Sequence, residues 1–189
     1  MRVLICSANY APELTGVGKY SGEMANWLAA RGHEVRVVAA PPYYPAWRVA
    51  DAYRGRPFCQ EVLDGVMVWR APLWVPARPG GLVRVLHLLS FGLSATPLLL
   101  WWALRWRPQA VVCVAPFFTA APASLLAARL AGAPAWLHVQ DYEIDVAFSM
   151  GLLQGGMLKR GVEAAERLLF RRFDRVSSAH GSTRRHMVS

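Results

Sequence analysis

The first forty residues constrain the fold more than any other part of the chain. Arg2 to Ser7, RVLICS, is a short apolar run bounded by polar residues, the pattern of a strand buried on both faces. From Gly18 to Arg31 the positions Tyr20, Met24, Trp27 and Leu28 recur at helical spacing, and Gly32 follows as a helix stop. Glu34 to Ala39 then reads as a second buried strand. Strand, helix and strand with short joints form a βαβ unit, whose right-handed crossover sets the two strands parallel.

The rest of the chain continues the alternation. Asp64-Gly65, between Cys59 to Leu63 and Val66 to Arg70, favours the tight turn of a β-hairpin. Strands are expected at Ala110 to Ala115 and Ala135 to Val139, with a helix from Thr119 to Ala131 between them. A final helix from about Met157 to Arg172 precedes a strand at Arg175 to Ser178. The expected class is α/β, a doubly wound Rossmann-like parallel sheet. With 189 residues, 54% of them apolar, residues 1–189 suffice for one packed domain and disorder is excluded. Ligands of such sheets bind beyond the carboxyl ends of the strands, where the strand order reverses, so the loops after the strands should carry the chemistry. The proline-rich stretch from Pro41 to Phe58 is too long for a simple connector and serves either to cover a substrate or as a packed structural loop.

Composition narrows the partners. Lys and Arg number 21 against 12 Asp and Glu, a formal charge of +9, which favours phosphorylated substrates, acidic lipids or nucleic acid. The arginines are dispersed and no RRM or zinc finger is present, so nucleic acid is not an expected partner. Cys6, Cys59 and Cys113 are odd in number and far apart, which suits reduced thiols of a cytoplasmic protein. Met1 to Ala11 runs straight into a strand pattern with no signal-peptide organisation.

Asn9 to Tyr20, NYAPELTGVGKY, places Gly16 and Gly18 just before a helix, where backbone amides and the helix dipole can receive an anion. The alternative is that the glycines merely let the chain turn. Two phosphate motifs fail here. Gly16, Gly18 and Gly22 set the third glycine one residue too far for G-x-G-x-x-G, and Ala39, Ala40 and Pro41 stand where that fingerprint wants an acidic residue. Gly18-Lys19 is followed by Tyr20 rather than Ser or Thr, against a P-loop. Nicotinamide, flavin and nucleotide triphosphatase chemistry are therefore not expected.

Leu137 to Asp145, LHVQDYEID, is a strand running into acidic residues where an active-site loop belongs. Asp141 is the first choice for a functional carboxylate, able to orient or deprotonate a hydroxyl, with Glu143 and Asp145 behind it. Capping of a following helix or turn is the competing role for Asp141 or Asp145. His138 sits on the strand itself, where packing and hydrogen bonding suffice to explain it. No metal site is expected, because no Cys or His pair has ligand spacing.

Leu88 to Leu104 contains no charged residue. It falls short of the ~20 residues that span a bilayer, and its default is a buried crossover helix. Trp101, Trp102 and Trp106 beside Arg105 and Arg107 also suit an interfacial helix on anionic lipid, so Trp101, Trp102, Arg105 and Trp106 are expected membrane contacts.

These motifs together carry a family likeness. NYAPELTGVGKYSGEMANWLAARGHEVRVVAAPPYYP, HLLSFGLS at His87 to Ser94, VAPFF at Val114 to Phe118 and HVQDYEIDVAFSMGLL at His138 to Leu153 resemble the family-4 retaining glycosyltransferases, in the colanic-acid-type branch of exopolysaccharide enzymes. The resemblance implies two Rossmann-like domains around a cleft. The chain would be the amino-terminal, acceptor-side domain, with the carboxyl-terminal donor-binding domain absent or supplied by a separate polypeptide. It implies a nucleotide sugar as donor substrate, no further cofactor, no metal, and a lipid-linked sugar acceptor at the inner membrane face. Carried over by position, Gly16 and Gly18 would face the donor diphosphate with Lys19 as countercharge or as a solvated surface lysine, and His138 would join them in binding substrate. Asp141, Gln140 and Glu143 would form the catalytic group. Many relatives carry a histidine where this chain has Gln140, which weakens any histidine-centred role.

Overall fold

The computed structural model describes residues 1–78, 80–115, 118–140, 164 and 167–178. The elements in chain order are β1 (Arg2–Cys6), α1 (Gly16–Ala30), β2 (Glu34–Ala39), β3 (Cys59–Leu63), β4 (Val66–Arg70), α2 (Gly81–Arg105), β5 (Ala110–Ala115), α3 (Ala121–Ala131), β6 (Ala135–Val139) and β7 (Arg175–Ser178). Short 3-10 turns lie at Asp51–Tyr53 and Phe118–Ala120. The second of these displaces the start of α3 from the expected Thr119. Of the helix expected over Met157 to Arg172, residue 164 and residues 167–170 are helical, and the remainder before them lies outside the described residues.

Among the described residues the sheet has seven strands in the order β3-β4-β2-β1-β5-β6-β7. All neighbours are parallel except β3, which pairs antiparallel with β4. Without that added edge strand the order runs outward from β1 in both directions, the doubly wound arrangement expected from the sequence. The reversal falls between β1 and β5. The β3–β4 turn has left-handed backbone at both Asp64 (φ 49°) and Gly65 (φ 81°), the two-residue hairpin geometry that Asp-Gly favours.

Alternation along the strands divides the core into two layers. Val3, Ile5, Val37, Val68 and Val112 meet Ala25, Met24 and Leu28 of α1 on one face. Leu4, Val38, Cys113 and Leu137 meet Phe91, Leu99 and Ala103 of α2 and Leu125 of α3 on the other. Cys6 and Cys113 are partners in register. Both are free and buried, and burial pushes the Cys113 thiol up to about 12 and that of Cys6 well above its ordinary value. Such thiols stay protonated and inert.

The helix α2 is the crossover between β4 and β5. It is long and apolar enough by composition to cross a membrane, with a mean hydropathy of 1.5 over Val83–Arg105. Both of its flanking strands belong to one sheet, however, so it lies along that sheet. Its end is clamped to β2: the Arg36 guanidinium lies 4.2 Å from the Trp102 ring centroid and 4.4 Å from that of Trp106. Trp106 Nε1 donates to Glu34 Oε1 at 2.9 Å, and Arg36 donates to the same oxygen at 3.2 Å. This corrects the expected membrane-contact set. Trp106 is buried and Trp102 half-buried inside the clamp, leaving only Trp101 and Arg105 facing outward.

Where α2 passes the lead-in to α3, Gly92 permits the close approach: a Cβ there would stand 2.6 Å from the Thr119 carbonyl oxygen. Backbone cannot yield as a flexible side chain can, so Gly92→Ala is expected to lower stability by about 1–3 kcal/mol in chemical denaturation with an unchanged m-value. An alanine variant as stable as the parent would show that this contact is slack.

Candidate functional site

The strand order places the crevice site expected of such a sheet beyond the carboxyl ends of β1 and β5, beside the loop after β2. The loops after β1 and β2 are tied first by a continuation of strand pairing, with Ser7 N donating to Val38 O and Ala40 N to Ala8 O, each at 3.0 Å. Ser7 Oγ donates to Asn9 O at 2.7 Å and shares a 3.0 Å hydrogen bond with Ser21 of α1. Beyond that point two buried charged side chains take over.

Glu13 is 7% exposed. Its Oε1 accepts from the amides of Tyr43 and Tyr44, each at 3.0 Å, and its Oε2 accepts from Asn9 Nδ2 at 3.0 Å. Arg70, at the end of β4, is fully buried. It donates to the carbonyls of Ala40 and Ala11 and pairs through Nε with Glu61 at 2.6 Å. Sequence reasoning missed both. Glu13 lies inside the glycine loop, and its signal was an acidic residue three positions ahead of Gly16. Arg70 closes an apolar strand, and a cation in that position was the clue available.

Gly16 and Gly18 turn out to be glycines for different reasons. Gly16 has φ +57° with nothing within 4 Å of where a Cβ would be, so its backbone borders open space. Gly18 makes room for Glu13, whose Cβ and Oε2 would each lie 2.6 Å from an added Cβ. Among the described residues the start of α1 carries no side-chain cap on its amides: Thr15 makes no capping hydrogen bond and the first turn has no acidic residue. An uncapped helix start beside open space can accept an anion. Lys19 is exposed, 3.8 Å from Glu23 one turn on, a surface pair that holds it weakly.

Two strand spacings from β1, about 9–10 Å, the chain leaves β6 at Gln140. This side chain is only 6% exposed, yet its Oε1 and Nε2 have no hydrogen-bond partner among the described residues. A buried amide left unpaired is costly, and such groups accompany sites completed by something else. His138 lies two residues earlier on the strand, half-buried and hydrogen-bonded through Nδ1 to Ser177 Oγ at 2.8 Å. Burial lowers its pKa. The bond to Ser177 holds the ring between β6 and β7. Asp141, Glu143 and Asp145 lie outside the described residues. No group of three or more His, Cys, Asp or Glu could hold a metal ion among the described residues.

The loop from Pro41 to Phe58 is packed by its own contacts and against β3 and α2. Ala50 N donates to Pro42 O at 2.9 Å, Tyr53 Oη donates to Glu61, and Tyr43 and Trp47 pack edgewise together and against His87 of α2. The tryptophan clamp of α2 lies at the opposite, amino-terminal edge of the sheet, so it takes no part in the crevice.

A glycosyl transferase 4-like domain model matches residues 15–189. WcaI of Escherichia coli (strain K12), which carries the name of a colanic acid biosynthesis glycosyl transferase, is 45% identical over 182 residues. That alignment covers 94% of this chain and 44% of WcaI, so the chain spans less than half the length of this relative. Among solved structures, the catalytic domain of Arabidopsis thaliana starch synthase IV bound to ADP and acarbose superposes with a TM-score of 0.50 at 18% identity, over 75% of this chain and 34% of that one. SsfS6, a Streptomyces sp. SF2575 glycosyltransferase, gives a TM-score of 0.37 at 20% identity over 74% of this chain and 39% of its own. The first of these supports the Rossmann-like fold.

Glu13 accepts three charge-assisted hydrogen bonds, from the Tyr43 and Tyr44 amides and from Asn9. Glu13→Ala is expected to cost about 3 kcal/mol or more in denaturant unfolding, because it removes a buried acceptor shared by two backbone amides and an asparagine. A loss under about 1 kcal/mol would show that water readily replaces the carboxylate.

Proposed function

The chain belongs to the glycosyl transferase 4-like family, and from that premise we propose that it is the acceptor-side domain of a retaining enzyme that moves a sugar from a nucleotide sugar to a lipid-linked exopolysaccharide precursor. The observation that carries the reading is the uncapped start of α1 at the order reversal, with open space above Gly16. When the bond between the sugar and the diphosphate breaks, the departing oxygen takes the electron pair and its charge grows. Preorganised amides of the Gly16 loop meet that charge, and Lys19, free to leave Glu23, adds a cation. The acceptor hydroxyl forms the new bond to the sugar carbon and passes its proton to the departing phosphate oxygen, with Asp141 orienting that hydroxyl.

The larger part of the nucleotide sugar is held by a second domain, carried on the same or a separate polypeptide. The acceptor is met at the cytoplasmic face of a membrane, in keeping with the excess of cations.

Joined to a donor-binding domain, the chain is expected to transfer sugar to a polyprenyl-diphosphate acceptor, measured by radiolabel incorporation. Asp141→Ala in the joined protein should lower kcat by about 10²- to 10⁴-fold with acceptor affinity kept within a few-fold. A joined protein that binds acceptor yet transfers from none of a broad donor panel would reduce the domain to a non-catalytic binding module.

A further inference from the structure

The helix α2 is apolar on the side facing the sheet and apolar again on the side facing away. Leu86, Leu89, Leu93, Pro97, Trp101 and Leu104 recur every three or four residues, and all are exposed. They form an outer stripe about 27 Å long, opposite the inner stripe of Phe91, Ala95, Leu99 and Ala103. A helix hydrophobic all round is ordinarily covered all round. Here, among the described residues, the outer side is open and contiguous, with Leu93 73% exposed at its centre, and it is the contiguous row rather than any one leucine that marks an interaction surface.

The neighbouring helix extends the surface. Leu126 and Leu130, one turn apart on the outside of α3, are 45% and 48% exposed. Between the two helices runs an apolar groove of about 310 Å³, lined by Leu89, Leu93 and Thr96 from one side and Pro122, Ala123 and Leu126 from the other. The two stripes are therefore continuous across it.

Charge selects the occupant. From Gly65 to Gln140 the sequence contains no aspartate or glutamate, yet it contains six arginines. One of these, Arg70, is buried in its pair with Glu61. Arg78, Arg105, Arg107 and Arg129 are exposed, and none has a carboxylate within ion-pair distance among the described residues. Arg105 also lies 5.8 Å from the Trp101 ring, a tryptophan and a cation together at one end of the stripe. A leucine surface whose rim, among the described residues, is cationic fits acyl chains beneath anionic headgroups. It fits a second copy of itself poorly, because the arginines would face one another. A donor-binding domain would occupy the crevice at the strand ends, leaving the length of this face free.

We propose that the outer face of α2 and α3 seats the domain on an anionic membrane, its leucines entering the headgroup boundary and its arginines meeting lipid phosphate. The purpose of this seat, though not its physics, rests on the reading that the acceptor is lipid-linked. Lying flat on the surface, the stripe gains both apolar burial and attraction to the leaflet. The surface also differs from the tryptophan cluster expected from sequence, sharing with it only Trp101 and Arg105.

Flotation of the full chain with vesicles of roughly three parts phosphatidylcholine to one part phosphatidylglycerol tests the seat. The chain should float with these vesicles, and less with phosphatidylcholine alone or at high salt. Leu93→Glu with Leu126→Glu, both exposed and so compatible with the fold by circular dichroism, should weaken partition about tenfold or more. Arg105→Glu with Arg129→Glu should abolish the preference for the anionic lipid. Indifference of the parent chain to both vesicles, or leucine variants that float like the parent, would overturn the inference. So would self-association abolished by the leucine variants in a chain that ignores vesicles, which would assign the face to a second copy. Transfer by the joined protein to a lipid-free acceptor analogue should survive the leucine changes, so this seat can fail while the transferase reading stands, and the reverse.

Discussion

The crevice depends on two buried charges that finish the hydrogen bonding of backbone no strand can reach. Past the ends of β1 and β2 the ladder stops, and the loop amides and carbonyls must find other partners or remain unsatisfied. Glu13 accepts from the two amides and Arg70 donates to two carbonyls, so anion and cation divide the work by the polarity of what each loop offers. Neither contact is interchangeable with an apolar residue of the same size. The guanidinium also needs Glu61, so the antiparallel strand β3, which adds nothing to the doubly wound order, earns its place by neutralising a buried arginine.

This arrangement explains why the glycine loop fits neither of the common phosphate fingerprints. Those fingerprints place glycines where backbone must approach a ligand. Here one glycine, Gly18, serves a carboxylate belonging to the chain itself, and only Gly16 borders open space. The spacing is therefore set by Glu13 as much as by any anion, and a motif search that assumes all the glycines face a ligand will misread it.

The fold was legible where local chemistry and tertiary placement agree. The βαβ start, the Asp64-Gly65 turn and the short strands each have a pattern with a mechanism behind it, and all lie where the pattern puts them. Glu13 and Arg70 were not legible, because a buried charge looks in sequence like any surface charge until its partners are known. The tryptophans were partly legible. Trp102 and Trp106 are one turn apart, as are Trp101 and Arg105, so helical spacing alone already separates two faces. It could not say which face met the sheet, since α2 is apolar on both, and a cation from a distant strand, Arg36, decided it.

The orientation of α2 follows from contacts at its two ends and its middle. Near its start, His87 Nδ1 donates to the Trp74 carbonyl at 2.6 Å and Ser90 accepts from the Trp74 amide at 3.0 Å. At its centre, Gly92 lies against Thr119, whose hydroxyl donates to the Leu88 carbonyl at 2.6 Å. At its end, Trp106 is held by Glu34. Polar bonds are directional and the Gly92 approach tolerates no added atom, so rotation of the helix about its axis would break several of them at once. Hydrophobic packing alone could not have fixed the rotation of a helix with two apolar faces, because either face would satisfy the sheet. The few polar contacts therefore choose which leucines are buried and which are presented, and they present the same row along the whole length of the helix.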